Sequence, residues 1–196
     1  THCISSAASD VYKRQIYMDH AATTAMSKTA LEEMLPYFAE EYGNPSAVYS
    51  YGQTGKNAIE KCRERIAKCI GAFKTEIYFT SGGTESDNWA IRSACRLRKN
   101  KGKHIISTEI EHNAVRKTLE QLMEDGYEVT FLKPDQTGQI TAEQLEAAIR
   151  DDTVLISIMM ANNVVGTILD IQSLEAVARK HRICLLYTSD AADDMQ

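Results

Sequence analysis

Glu76-Ile77-Tyr78-Phe79-Thr80-Ser81-Gly82-Gly83-Thr84-Glu85-Ser86-Asp87-Asn88 is the stretch on which the fold turns. Its first five residues are mostly aromatic or β-branched and predict a strand over 76–80. The small polar residues that follow predict a tight turn, and the sequence then takes on a helical pattern over 85–98. Two glycines let the backbone approach an anion with no Cβ in the way. The helix start offers unpaired N–H groups at the positive end of its dipole, and Ser81 and Thr84 add hydroxyl donors. Together these features suit a phosphate cradle. The lysine of a Walker loop and the spacing of a GxGxxG fingerprint are both missing. The same residues also suit a capped strand-to-helix turn that binds nothing, and the local pattern leaves both readings open.

Working outward, the alternation continues. Strands are predicted over 103–107, 127–132 and 153–160, with helices over 112–125, 141–149 and 173–181. Upstream, two helices are expected over 28–41 and 53–70, separated by the breaker Gly43-Asn44-Pro45-Ser46 and closed by Gly71. Strands rich in Ile, Val, Tyr and Phe alternating with helices imply an α/β fold whose mostly parallel sheet carries helices on both faces. Ligands of such sheets bind beyond the carboxyl ends of the strands.

Two more polar clusters stand at such ends. Ser107-Thr108-Glu109-Ile110-Glu111-His112-Asn113-Ala114-Val115 places His112 where the chain enters a helix. An imidazole there can stack on a planar ligand or serve as acid or base, or it can be a solvated residue of a helix's first turn. Met159-Met160-Ala161-Asn162-Asn163-Val164-Val165-Gly166 follows the last of these strands. Its asparagine pair can build a turn through local bonds or aim an amide at a ligand oxygen. Three polar clusters on one sheet edge weigh more than any one of them alone.

Bulk composition narrows the classes. The 196 residues are 43% hydrophobic and 25% charged, with 10 Gly and 3 Pro, an ordinary globular balance. A formal net charge of -5 gives no footprint for nucleic acid or an anionic membrane surface. No apolar run reaches the length of a membrane span, and no signal-peptide core opens the chain, so a cytoplasmic location is expected. The cysteines at 3, 62, 69, 95 and 184 form no CxxC pair. No metal site is expected, and Cys62 and Cys69 are expected to be buried thiols on one helix stripe with Ala58, Ile59 and Ile66.

The termini are related in another way. A DNA string that encodes Cys184 to Asp194 has a reverse complement that reads Ser-Ser-Ala-Ala-Ser-Asp-Val-Tyr-Lys-Arg and the start of Gln, matching Ser5 to Gln15. That string resembles a sequencing adapter of the transposase type. Residues 1–15 and 184–196 are therefore expected to be translated adapter, outside the natural protein and its fold.

Five segments carry a resemblance to a known family: Tyr17-Met18-Asp19-His20-Ala21-Ala22-Thr23-Thr24, Tyr42-Gly43-Asn44-Pro45-Ser46, Phe79 to Asn88, Glu111 to Val115, and Ala161-Asn162-Asn163. In order and spacing they resemble cysteine desulfurases of the NifS/IscS type, class V aminotransferases of pyridoxal-phosphate fold-type I. The resemblance covers essentially all of residues 16–183. It implies an N-terminal arm and first helix over 16–52 and a partial, truncated large domain that binds the cofactor over 53–183.

The resemblance also implies a cytoplasmic homodimer that uses pyridoxal 5'-phosphate to take sulfur from L-cysteine. L-alanine is released, a persulfide is left on an enzyme cysteine, and a sulfur-acceptor or scaffold protein takes the sulfur onward to iron–sulfur or thiolation pathways. Gly83 and Thr84 would bind the cofactor phosphate. His112 would stack on its ring and move protons as a catalytic residue, and Asn163 would bond its phenolic oxygen. The segment 21–24 and the Asn44 loop would shape the substrate entrance and the dimer contact. Val164 departs from the acidic residue that many relatives carry there.

The aspartate that pairs with the ring nitrogen is expected just after Ile183, and the cofactor lysine and nucleophilic cysteine further on. No Lys or Cys of this chain takes those roles, so the chain is expected to be inactive by itself. Two other readings stand beside this one. One is a selenocysteine lyase or a related pyridoxal-phosphate enzyme. The other is a non-enzymatic phosphate-binding α/β domain resting on Gly82-Gly83-Thr84 alone, in which His112 and Asn163 share no ligand.

Overall fold

Ile105, Ile106, Leu155, Ile156 and Ile158 have no exposed surface at all, and the two strands they build form the centre of the molecule. The computed structural model describes residues 16–18, 20 and 23–189. Among these, four strands form one sheet: β1 (His104–Thr108), β2 (Glu128–Leu132), β3 (Thr153–Ala161) and β4 (Cys184–Ser189). Their order is β2-β1-β3-β4 and every pairing is parallel. β1 is buried along its whole length and β3 along its first seven residues, as expected of strands covered on both faces.

Helices cover the two faces in pairs. On one face α3 (Gly83–Leu97) and α4 (Asn113–Glu124) pack Ile91, Cys95, Val115 and Leu119 onto Ile105 and Leu155. On the other, α5 (Ala142–Ala148) and α6 (Ile171–Lys180) bring Leu145, Leu174 and Ala178 onto Ile106, Ile156 and Ile158. Local chemistry starts the last two helices. Thr141 and Gln144 form a capping box on α5, and Asp170 accepts a hydrogen bond from the Ser173 backbone N–H on α6.

The N-terminal arm is thinner. α1 (Lys28–Ala39) starts on Ser27, whose hydroxyl accepts from the Ala30 N–H at 3.2 Å, and none of its residues is buried. α2 (Ser50–Ile70) ends at Gly71, which takes the left-handed conformation (φ 67°) of a helix C-cap. Of α2 only Gly52, Gly55 and Ala67 are buried.

Three expectations need correcting. Cys62 and Cys69 are exposed, because no described element covers the stripe of α2 on which they lie. Residues 76–80 form no strand. A single 3-10 turn, Lys74–Glu76, leads into extended but unpaired backbone with Tyr78 and Phe79 exposed, and the Ile77 carbonyl accepts from Arg63 rather than from a neighbouring strand. Third, Cys184–Ser189 was set outside the fold but pairs in register with β3, from Leu155↔Cys184 to Ala161↔Ser189. The apolar run Cys184-Leu185-Leu186-Tyr187 followed by Thr188 gives that stretch what a parallel strand needs, whatever its origin. Ala21 and Ala22 of the expected entrance, together with Asp19 and residues 1–15 and 190–196, lie outside the described residues.

Candidate functional site at the carboxyl edge of the sheet

Every parallel strand points its carboxyl end to the same edge, and the loops leaving β1 and β3 carry His112 and Asn163 there. The start of α3 reaches the same edge. At its far end Arg98 donates to the Arg182 carbonyl just before β4 begins (2.8 Å), so α3 runs antiparallel to the strands. In its first turns Asp87 lies close enough to Glu111 for its charge to raise the Glu111 pKa. The three clusters singled out in the sequence therefore meet at one edge.

The start of α3 is open on one side and closed on the other. Its N-cap, Gly82, is extended (φ 164°) and supplies no side-chain cap, so among the described residues no side chain caps the first-turn N–H groups in the way that Ser27, Thr141 and Asp170 cap theirs. The positions where a Cβ would stand on Gly82 and Gly83 face open space, with no atom within 4 Å. Ser81, expected as a donor, is engaged. Its N–H and hydroxyl both donate to the Glu85 carboxylate at 2.7 Å, which holds Glu85 below the usual carboxylate range. Thr80 and Ser86 share a hydrogen bond of 2.6 Å behind the turn. Gly83 and Thr84 remain exposed.

His112 is the N-cap of α4, with its Nδ1 accepting from the Ala114 N–H at 3.1 Å. That bond fixes the ring and assigns the proton of the neutral imidazole to Nε2. The asparagine pair divides its work. Asn162 is buried and builds the turn: its side-chain oxygen accepts from the Val164 and Val165 N–H groups (2.9 and 3.0 Å), and its amide donates to the Ile110 carbonyl (2.9 Å). Asn163, half-buried, makes no hydrogen bond among the described residues, so its amide is free. The Val164 side chain is exposed, and the residue enters the turn only through its backbone N–H.

Glu111 was quoted with its motif but given no role in the sequence. Its Oε1 accepts from the Thr108 hydroxyl and from the Met159 N–H, both at 2.7 Å, while Oε2 is buried with no partner. Burial, with the Asp87 charge adding to it, pushes the carboxyl up to about 7 against the lowering effect of those two bonds. Its signal in the sequence was an acidic residue three positions past the last residue of an interior strand. Other grooves lie away from this edge. One of about 690 Å³ runs between α1 and α2, among Met34, Tyr37, Ile59, Cys62 and Phe79. Among the described residues no helix is long and apolar enough to cross a membrane.

The parallel sheet covered by helices on both faces matches the large domain of pyridoxal-phosphate fold-type I proteins. The chain belongs to the aminotransferase class-V family, whose sequence profile matches residues 16–196. It is 49% identical over 170 residues to the cysteine desulfurase IscS of Methanosarcina thermophila, covering 87% of this chain and 42% of that one. Among solved structures, "SspA in complex with cysteine" superposes with a TM-score of 0.84 at 39% identity, over 88% of this chain and 50% of that one. A NifS-like protein gives a TM-score of 0.84 at 36% identity, over 89% and 48%. The chain thus spans about half the length of the proteins it matches.

Proposed function

We propose that this chain supplies part of the cofactor-binding domain of a cysteine desulfurase that uses pyridoxal 5'-phosphate and acts on L-cysteine. The observation that carries the reading is the meeting, at one sheet edge, of an uncapped helix start, an imidazole with one nitrogen already engaged, and a free amide. The residues fit the cofactor. A phosphate group suits the first-turn N–H groups of Gly83 and Thr84, because the open space at Gly82 and Gly83 lets it approach the backbone. The Asn163 amide suits the phenolic oxygen, and the exposed face of His112 suits a flat ring.

When bound, the cofactor supplies an electron sink that eases bond breaking at the substrate's α-carbon. The chain's own part is orientation and proton control. Because Nδ1 of His112 holds the cap of α4, the neutral ring offers only a donor, the Nε2–H. It can steady an acceptor at once, but it takes up a proton only by giving up the cap. His112 therefore orients first and moves protons second. A lysine, a ring-nitrogen aspartate and a nucleophilic cysteine belong to this proposal as residues beyond those discussed, as do a cytoplasmic location, a homodimer and a sulfur-acceptor partner.

Pyridoxine 5'-phosphate tests the reading, because it keeps the ring and phosphate but has no aldehyde to react with surface lysines. Trp89 is the only tryptophan and lies in the second turn of α3, so its fluorescence reports on binding. The expected result is saturable quenching that inorganic phosphate reverses, with affinity falling about tenfold in His112→Ala, Asn163→Ala and Thr84→Val. Binding that needs Thr84 but neither His112 nor Asn163 would leave only a phosphate-binding turn and overturn the enzyme reading.

A further inference from the structure

Strands β1 and β3 are unequal. β1 ends at Thr108, whereas β3 runs nine residues to Ala161, and their register places Ile106 opposite Ile156. The Met159 N–H therefore faces the β1 side at a level where β1 has already turned away. In a sheet interior that donor would be left without an acceptor. The side chain of Glu111 takes the place of the missing strand: Oε1 accepts from the Met159 N–H at 2.7 Å and from the Thr108 hydroxyl at 2.7 Å. A second tie runs alongside, from the Asn162 amide to the Ile110 carbonyl at 2.9 Å.

These bonds join two loops that sequence separates by about fifty residues. One loop carries His112 on the residue after Glu111, and the other carries Asn163 on the residue after Asn162. We propose that Glu111 is a positioning residue, whose Oε1 fastens the turn bearing His112 to the end of β3 so that His112 and Asn163 address one ligand. The inference rests on the functional reading above for the identity of that ligand, but not for the brace itself.

The remaining chemistry of the carboxyl group agrees. Oε2 is buried and makes no bond to the chain, which suits a protonated oxygen better than a charged one. The groups near enough to act on Glu111 are the Thr108 hydroxyl, the Met159 N–H and the Asp87 carboxylate on α3. Asp87 is an anion and favours the neutral form. A glutamine has the same shape as the neutral acid, with its oxygen free to accept both bonds and its amide where Oε2 stands. Alanine has no acceptor at all.

The test uses the full 196-residue chain and compares Glu111→Gln, Glu111→Ala and Thr108→Val. Histidine side-chain NMR reports the His112 ring directly, with no ligand present. The expected result is a His112 signal unchanged in Glu111→Gln, and shifted or broadened in Glu111→Ala. Thr108→Val loses one bond of two and should show a smaller change of the same kind, so the comparison survives even if the alanine variant folds poorly. Pyridoxine 5'-phosphate affinity should follow the ring, weakening about tenfold in Glu111→Ala and staying within about twofold in Glu111→Gln. An alanine variant with an unmoved His112 ring overturns the brace, and so does equal loss in the alanine and glutamine variants. If the unaltered chain does not bind pyridoxine 5'-phosphate, the functional reading falls, while the ring signals still decide the brace.

Discussion

Replacing Glu111 by glutamine should change how stability depends on pH more than it changes stability at low pH. The carboxyl is raised from its ordinary 4.5 to about 7, first by burial and then by the Asp87 charge. A group whose pKa is raised on folding binds its proton more tightly in the native state. Its contribution is therefore fully present below the unfolded value and is lost as pH rises through the folded one. Between about pH 5 and pH 8 that loss amounts to about 2.5 kcal/mol for a shift of this size. Glutamine keeps both bonds into Oε1 and has no proton to lose, so Glu111→Gln should lack this slope.

The assay is urea unfolding at several pH values, followed by Trp89 fluorescence at low protein concentration. The informative quantity is the difference between the two proteins. Other titrating groups, His104 among them, act equally in both and cancel. The variant should match the parent near pH 5 and exceed it by about 2.5 kcal/mol near pH 8. A difference that stays flat across this range would mean that Glu111 is ionised at neutral pH in the fold, and would refute the argument from burial.

Four shorter expectations follow. His104 is fully buried and spans three strands, with Nδ1 2.8 Å from the Thr153 hydroxyl and Nε2 2.8 Å from the Thr130 hydroxyl, so His104→Ala should cost about 2–4 kcal/mol in the same unfolding assay. Burial, then the Arg150 charge, lowers the His104 pKa. Its contribution should therefore be lost as pH falls below its unfolded value, opposite in sign to that of Glu111, and an acid-insensitive His104 contribution would count against this. Gly71→Ala places a side chain at φ 67° with open space around it, so backbone strain alone should cost about 1 kcal/mol, read from the urea midpoint. Phe38 is 70% exposed and Leu35 54%, beside the α1–α2 groove, so sedimentation should find self-association that Phe38→Ser reduces; a concentration-independent monomer with a sharp melt would contradict this. Sequencing the source DNA across residues 15–16 and 183–184 should show the inverted-repeat string stopping at both junctions, and its continuation into a longer coding frame would make both flanks genuine.

Most of the fold was legible because its signals are local. Apolar strands 104–108, 128–132 and 153–161 alternate with helices whose caps, Thr141 and Asp170, stand in the sequence one residue before they act. What failed depends on partners. Residues 76–80 have strand composition, yet a strand exists only where a neighbour supplies hydrogen bonds, and none of the described strands does. The same holds for the α2 stripe. Its periodicity marks a face fit for burial but cannot supply the surface that buries it, so Cys62 and Cys69 are exposed.

The site was legible in its members and illegible in its division of labour, for a geometric reason. Asn162 and Asn163 are the same residue type, and Ser81 and Thr84 are both hydroxyl donors, so composition ranks them equally. In the turn that follows β3, Asn162 is buried and holds the Ile110 loop while Asn163 is left free. At the other turn, the four-residue spacing from Ser81 to Glu85 lets the carboxylate fold back and consume Ser81, while Thr84 stays available. In each case the residue already committed to the chain is the one that fixes the shape of the loop. The neighbour beside it is the one left open at the sheet edge. Glu111 and His112 repeat the arrangement: the buried carboxyl is spent on β1 and β3, and the ring next to it is exposed at the edge. Three adjacent or nearly adjacent pairs thus set a residue spent on joining or shaping the loops beside one that stays exposed or half-buried at the edge, His112 keeping its Nε2 free while Nδ1 caps α4. That repetition makes Glu111, rather than any further residue facing the solvent, the position where a single substitution should move His112 without touching it.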